Sequence, residues 1–402
     1  MFWILENNSQ LEKFKSKKFT EAFVDIIPID KSLHSAENNV SIVYIRPVNH
    51  VKGYVISNYH NDVKDVNINL IQEVLDTFQT LYTLDKKDFL YYFTHKNVID
   101  IKFIERFTLE ETSLPLYHKV NNNIIPISKL YEQSDFRYEQ IRHLLGKNVN
   151  KFYNTYYTNV FHWIEQNGLN TNNGPLYTKF NLSHITTRPS NTFKGINFMA
   201  LPKDSEIKKN IIPRNDMLLE VDISAYHVVL ISKLIGYDFG CIDIHSHFSK
   251  LYNVDYKTSK ELTFKQLYGG VFEEYKDLEF FKKLNLYVED LWDTFQYQGW
   301  IECPISKYKY YKKDLENMNP QKLLNYVLQN FETSNNVCIL LKIIKLLNSK
   351  KTEIIHYIYD SFLFDLDKND KSLLNDIKSI FEEKGLQIKI SYGKSYDSLK
   401  LL

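Results

Sequence analysis

Met217-Leu-Leu-Glu-Val-Asp222 and Ile354-Ile-His-Tyr-Ile-Tyr-Asp360-Ser-Phe-Leu-Phe-Asp365 are two apolar runs that each deliver an aspartate. β-Branched and aromatic residues dominate the second run, and both read as strands. The first run ends at Asp222, where the chain turns toward a helix. The second folds back as a hairpin with Asp360 at its bend. Taken singly, each aspartate has an ordinary reading: a helix N-cap for Asp222 and a turn residue for Asp360. Taken together they are two carboxylates on rigid, apolar elements. Such groups are costly unless paired or metal-bound, and two of them can hold divalent ions.

Between the aspartates lies Lys257-Thr-Ser-Lys260-Glu-Leu-Thr-Phe264-Lys-Gln-Leu-Tyr268-Gly269-Gly270. Steps of three and four place Lys257, Lys260, Phe264 and Tyr268 on one helix face. Two cations suit a triphosphate, and two rings suit a base and sugar. The bland alternative is a lysine-solvated surface helix with its rings in a core. The paired glycines mark the helix end. Carboxylates, cations and rings in this order fit magnesium-dependent nucleotidyl transfer, which is mostly positioning and charge neutralisation.

The 402-residue chain has room for two or three domains. Its 44% hydrophobic and 25% charged content is that of a soluble globular protein. No run of about 18 uncharged apolar residues is present, so no membrane span is expected. The opening Met1-Phe-Trp-Ile-Leu-Glu has no basic region before an apolar stretch, so no signal peptide is expected. Cys241, Cys303 and Cys338 are too few and too scattered for a disulfide framework, which points to a reducing, cytoplasmic setting. The net charge of +1 neither demands nor forbids nucleic acid. Lysine is the default cation, with arginine only at 46, 106, 137, 142, 188 and 214.

Along the chain, strands are expected in the stretch 20–60, a helix over 68–83, a strand near 89–93, and helices near 127–147 and 151–167. Residues 1–150 thus read as a small α/β domain. Gly168 to Pro175 is the clearest break. Then come a strand at 217–223 and helices at 224–235, 243–252, 257–269, 277–298 and 320–348. A hairpin at 354–366, a helix at 370–384 and a strand near 387–391 close the chain. Strands far apart in sequence must pair to unite the aspartates, so the fold class is α+β.

In order, these segments resemble family A DNA polymerases over roughly residues 186–402. Leu219-Glu-Val-Asp222-Ile-Ser224 is similar to the family's motif A. Lys260-x3-Phe264-x3-Tyr268-Gly269 is similar to motif B, and Tyr359-Asp360-Ser361 to motif C. Thr187-Arg188-Pro-Ser190, Asp243-Ile-His245-Ser and Gln329 add three weaker matches. The resemblance implies a right hand of palm and fingers. Its divisions would be a thumb remnant at 151–185, palm at 186–240, fingers and following helices at 241–339, and palm again at 340–402. It implies a DNA-directed DNA polymerase of DNA replication, adding deoxynucleotides to a primer 3′ end with two magnesium ions, manganese being the other candidate. Asp222 and Asp360 would hold the metals. Lys260, His245 and Lys257 would face the triphosphate. Phe264 and Tyr268 would cover base and sugar, with His227 beside them. Arg188 and Gln329 would touch DNA. The implied partners are primer–template DNA, deoxynucleoside triphosphates and a processivity or replisome partner. The implied source is a phage, acting in its host's cytoplasm.

The chain also departs from the family. His227 stands where the family has a ribose-excluding glutamate, and Tyr359 and Ser361 replace the histidine and glutamate of motif C. Tyr256 stands where an arginine is usual, with Lys257 as substitute. This drift leaves two alternatives open: relaxed sugar selectivity or RNA synthesis, and an inactive DNA-binding relative. Only 19 residues separate Gly168 from Arg188, too few for the long helical pair of a thumb. The first 150 residues resemble the RNase H-like 3′–5′ exonuclease domain that precedes this polymerase. Asp25, Asp100 and Asp135 would be its vestigial carboxylates. Ile27 replaces a needed glutamate, so the domain is expected to be degenerate.

Overall fold

In a computed structural model the protein is described for residues 2–104, 121–202, 204–240 and 243–402. Cys241 lies outside the described residues. The chain forms two compact units. One comprises Met1–Gly168 with the excursions Tyr177–Ser183 and Asn191–Ile196. The other comprises Leu169–Leu176, His184–Ser190 and Asn197–Leu402. Residues 151–168, expected at the start of the polymerase domain, therefore belong with the N-terminal unit. No helix of the described residues is long and apolar enough to cross a membrane.

The first unit is built on a six-stranded sheet of β1 (Trp3–Ile4), β2 (Glu21–Pro28), β3 (Val40–Pro47), β4 (Tyr54–Ser57), β5 (Thr80–Thr83) and β6 (Val98–Asp100). Its order is β1-β4-β3-β2-β5-β6. Strands β2, β3 and β4 form an antiparallel meander, and β5 and β6 continue it in parallel with β2. Alternate residues feed two cores. Ala22, Val24, Val43 and Ile45 enter one, while Phe23, Ile27, Ile42 and Tyr44 enter the other. Both faces of the central strands are therefore covered.

Two sequence expectations fail here for local reasons. The expected helix 68–83 stops at Leu75, and Thr80–Thr83 is a strand. The spacing of Leu70, Val74, Phe78 and Leu81 fits a helix, but Gln79 and Thr80 donate to the Thr20 carbonyl and start a sheet edge. The expected strand at 89–93 is instead a helix, Lys86–Tyr92, because Asp85 caps it by accepting from the Asp88 amide.

The second unit is organised by a five-stranded sheet of β7 (Met217–Ile223), β8 (Glu353–Ile358), β9 (Ser361–Leu366), β10 (Ile388–Gly393) and β11 (Lys400–Leu401). The order is β8-β9-β7-β10-β11, so β7 is the centre. Leu219 and Val221 are buried, which pins the register. Around the sheet stand the helices Tyr226–Leu234, Ile244–Tyr252, Tyr256–Gly269, Glu279–Gln298, Pro320–Leu347 and Leu373–Glu382. Each lies within a few residues of its expected place. A hairpin of Trp300–Glu302 with Lys309–Tyr311 was not expected from the sequence. Between Gly168 and Arg188 the chain forms a short hairpin, Leu169–Thr171 with Gly174–Leu176, and the strand Phe180–Asn181, with no helix.

Candidate active site

β7 and the β8–β9 hairpin place the two aspartates side by side. Asp222 pairs in register with Ser361, and the Ile223 amide donates to the Asp360 carbonyl at 2.8 Å. Both carboxylates line one cavity of about 230 Å³. Burial, then repulsion from Asp360 and Glu220, raises the Asp222 carboxyl to about 6, against the pull of Lys389 and Lys260. Burial and Glu332 raise Asp360 as well, although Arg188 and His227 oppose them.

Three non-glycine residues with positive φ flank this cavity: Thr187 (60°), Ala225 (48°) and Tyr359 (53°). They adjoin Arg188, the turn after Asp222, and Asp360. Left-handed backbone at such residues costs about 1–3 kcal/mol each and persists only where surroundings over-determine it. The surroundings here are specific. The Arg188 guanidinium lies 3.6 Å from the Tyr359 ring centroid. Asn336 donates to the Tyr359 carbonyl at 2.7 Å and accepts from the Tyr226 hydroxyl at 2.6 Å. Asn335 donates to the same hydroxyl at 2.8 Å. The long helix Pro320–Leu347 thereby clamps both aspartate-bearing turns.

The helix Tyr256–Gly269 forms another wall. Asp255 caps it by accepting from the Lys257 and Thr258 amides. Its Ser259, Thr263, Gln266 and Leu267 are buried. The opposite stripe, spaced strictly by four, gives the cavity Tyr256, Lys260, Phe264 and Tyr268. Lys257, expected on this stripe, does not line the cavity and is exposed. A spacing of three at that step turns it away, and Tyr256 takes the position. Phe264 and Tyr268 run parallel, with centroids 6.2 Å apart at 8°. His245 joins them at 6.1 Å from Phe264. Burial and Lys260 lower the His245 pKa, which favours a neutral ring.

Of the other expected residues, Arg188 and His227 line the cavity. Gln329 does not; it is half-buried and meets Asn325 at 3.5 Å. Three participants escaped the sequence reading. Lys389 lines the cavity from β10, directly across the sheet from Asp222. Glu220 accepts from Ser361 at 3.0 Å and Tyr396 at 3.2 Å. Glu332, 1% exposed, faces Arg188 and His227. The available signal for Glu332 was the polar run Asn330 to Asn336 inside an apolar helix, nearly all of it buried. Lys389 gave no signal, because only strand register brings it to Asp222.

The residues proposed for a vestigial exonuclease site each have partners of their own. Asp25 accepts from Ser134 at 2.8 Å, with Arg137 at 3.4 Å. Asp135 accepts from Tyr44 at 2.6 Å and Arg46 at 2.7 Å. Asp100 accepts from the Lys86 and Lys102 amides and shares a separate cavity of about 190 Å³ with Asp85. Burial raises Asp100 to about 6. No group of three metal-ligating side chains occurs among the described residues.

No protein-family model matches the sequence, and no curated protein does. Solved structures do match. The POL domain of Pol1 from M. smegmatis, in complex with a DNA primer-template and dNTP, aligns with a TM-score of 0.72. The alignment covers 98% of this chain and 99% of that one, at 12% identity. This chain has the fold of that polymerase domain. At such low identity the likeness is one of fold, and the chemistry must be argued from the side chains.

Proposed function

We propose that this chain is a template-directed DNA polymerase that extends a primer 3′ end. The observation that carries this is the meeting of Asp222 and Asp360, from distant segments, with Lys260, His245, Phe264 and Tyr268 around one cavity. The fold likeness to a polymerase domain supports it.

The carboxylate pair fits divalent metal. Asp222 and Asp360 line one cavity and the charge of Asp360 raises Asp222, a repulsion that a shared cation would relieve, and magnesium is commonly held by one or two carboxylates plus substrate phosphates. Asp222 and Asp360 would hold the ions, with manganese as the other candidate. When bound, such ions neutralise developing phosphate charge and activate the attacking hydroxyl. Lys260 supplies fixed positive charge to the triphosphate, and neutral His245 a hydrogen bond. Phe264 and Tyr268 offer ring faces to base and sugar. Arg188 meets the primer–template side. The primer hydroxyl attacks the α-phosphorus, its proton is released, and pyrophosphate leaves; no protein nucleophile is required.

The N-terminal unit is proposed as a degenerate, structural RNase H-like exonuclease domain. Its antiparallel meander continued by two parallel strands supports this reading, and the separate partners of Asp25, Asp100 and Asp135 support the loss of nuclease activity. A reduced thumb, a processivity partner, and phage origin with action in a host cytoplasm belong to the same proposal and rest on the sequence resemblance. A polymerase with relaxed sugar selectivity is the second reading, favoured by the contact between His227 and Tyr268.

Magnesium-dependent primer extension is the test. The wild type should extend a primer–template, and Asp222→Ala and Asp360→Ala should not. No extension by the wild type on any primer–template would leave a DNA-binding relative in its place.

A further inference from the structure

The roles proposed above leave the most buried charge of the site unused. Glu332 stands in the middle of the helix Pro320–Leu347 with its carboxylate between the Arg188 guanidinium and the His227 ring. Its Oε1 accepts from Arg188 Nη2 at 3.1 Å. Its Oε2 lies 2.9 Å from Arg188 Nε and 3.3 Å from His227 Nε2. Both Oε2 contacts are close in distance but too poorly aligned to be well-formed hydrogen bonds, so the carboxylate acts on both partners through its negative charge. On the far side of the ring, His227 Nδ1 is hydrogen-bonded to the Tyr268 hydroxyl. A carboxylate, an imidazole and a hydroxyl thus stand in a row.

That order has a chemical consequence. A carboxylate beside one ring nitrogen of a neutral imidazole selects the tautomer that carries its proton there. The N–H is then on Nε2, facing Glu332, and Nδ1 is an acceptor. The Tyr268 proton must point at Nδ1, so its oxygen has only lone pairs to present to the cavity. Without Glu332 the ring is free to take the other tautomer, donate to Tyr268, and turn the phenol into a donor.

We infer that Glu332 is a positioning residue for sugar recognition: it fixes the His227 ring so that Tyr268 faces the nucleotide as a hydrogen-bond acceptor, and a hydroxyl on the nucleotide sugar is the donor it receives. The inference rests on the polymerase reading for its substrate class. A ribonucleoside triphosphate brings one more sugar hydroxyl than its deoxy counterpart, so the arrangement favours a group that a steric wall would exclude.

Two measurements on the full chain test it. Nitrogen-15 NMR of selectively labelled histidine reads the tautomer, with H227Q identifying the signal. The wild type should show an unprotonated Nδ1 and a protonated Nε2, and Glu332→Met should show the two tautomers mixed. A wild-type Nδ1 that carries the proton overturns the inference, whether or not the chain polymerises. The second measurement is single-nucleotide insertion with matched rNTP and dNTP. The rNTP:dNTP ratio of kcat/KM should fall about three- to tenfold in Tyr268→Phe and in Glu332→Met, the worth of one hydrogen bond, mostly through KM. An unchanged ratio in Tyr268→Phe overturns the inference without relying on the Glu332 variant to fold. Failure of the wild type to insert either nucleotide would count against the polymerase reading, while the tautomer measurement still decides this one.

Discussion

At pH 8 and without divalent metal, Asp222→Asn is expected to raise the unfolding free energy, and with magnesium present it is expected to abolish extension. The reason is the unfavourable ionisation of Asp222 in the folded chain. Its carboxyl rises from 3.8 to about 6, roughly two pH units, which is about 3 kcal/mol at 1.36 kcal/mol per unit. The side chain is only half-buried, so solvent screening reduces the usable figure to about 1–2 kcal/mol. The sign follows from linkage. Because the folded form binds its proton more tightly than the unfolded form, this group costs nothing below pH 3.8. The cost grows between pH 3.8 and about 6 and is complete above that. Asparagine removes it. The stability difference between variant and wild type should therefore open across that interval and stay level to pH 8. Magnesium should act in the opposite sense: for a site with a dissociation constant of about 1 mM, ~10 mM magnesium adds about 1.4 kcal/mol to the wild type and less to the variant. Thermal unfolding of both proteins, with EDTA and with magnesium, across pH 4–8, measures all of this. An Asp222→Asn protein no more stable than wild type at pH 8 in EDTA would refute the reasoning, as would a magnesium gain equal in both.

Further outcomes are expected elsewhere. Glu165 is 1% exposed and meets Lys87, His34 and the Phe180 amide; Glu165→Ala should cost about 3–5 kcal/mol in chemical denaturation, because it strands buried donors. A Cβ at Gly53 would lie 2.4 Å from the Tyr44 ring, so Gly53→Ala should lower stability by about 1–3 kcal/mol; a neutral result would mean that the Tyr44–Asp135 contact yields easily. Lys260→Ala should reduce kcat/KM for nucleotide at least about tenfold, the scale of losing one charge-assisted phosphate contact, with little change in primer–template affinity by fluorescence anisotropy. With trap DNA present, the isolated chain should add few nucleotides per binding event, because no helical pair lies between Gly168 and Arg188 to hold duplex phosphates; hundreds of additions would contradict this.

Much of the site was legible because local pattern and tertiary role coincide. Met217–Ile223 is apolar enough to be a central strand and becomes one. The hairpin around Asp360 is bounded by β-branched and aromatic residues, and the helix Tyr256–Gly269 has a cap and a glycine end. The details that escaped depend on rotation or register. A one-residue rotation of that helix exchanges Lys257 for Tyr256 in the cavity wall. Lys389 reaches Asp222 only through antiparallel pairing of strands far apart in sequence. The aromatic run Phe89–Phe93 looks like a strand, but one capping aspartate upstream makes most of it helix.

The position of β7 at the centre of its sheet also bears on how the chain is made. Both of its neighbours, Ser361–Leu366 and Ile388–Gly393, come later in the chain. Asp222 precedes Asp360 by 138 residues, on the order of ten seconds of synthesis at about 5–20 residues per second. Throughout that interval an apolar strand waits with both edges unpaired, the state most prone to pairing with a wrong chain. The aspartate pair thus cannot form until well after Met217–Ile223 leaves the ribosome, and the yield of the protein in a cell should depend on whatever shields that strand until its two partner strands arrive.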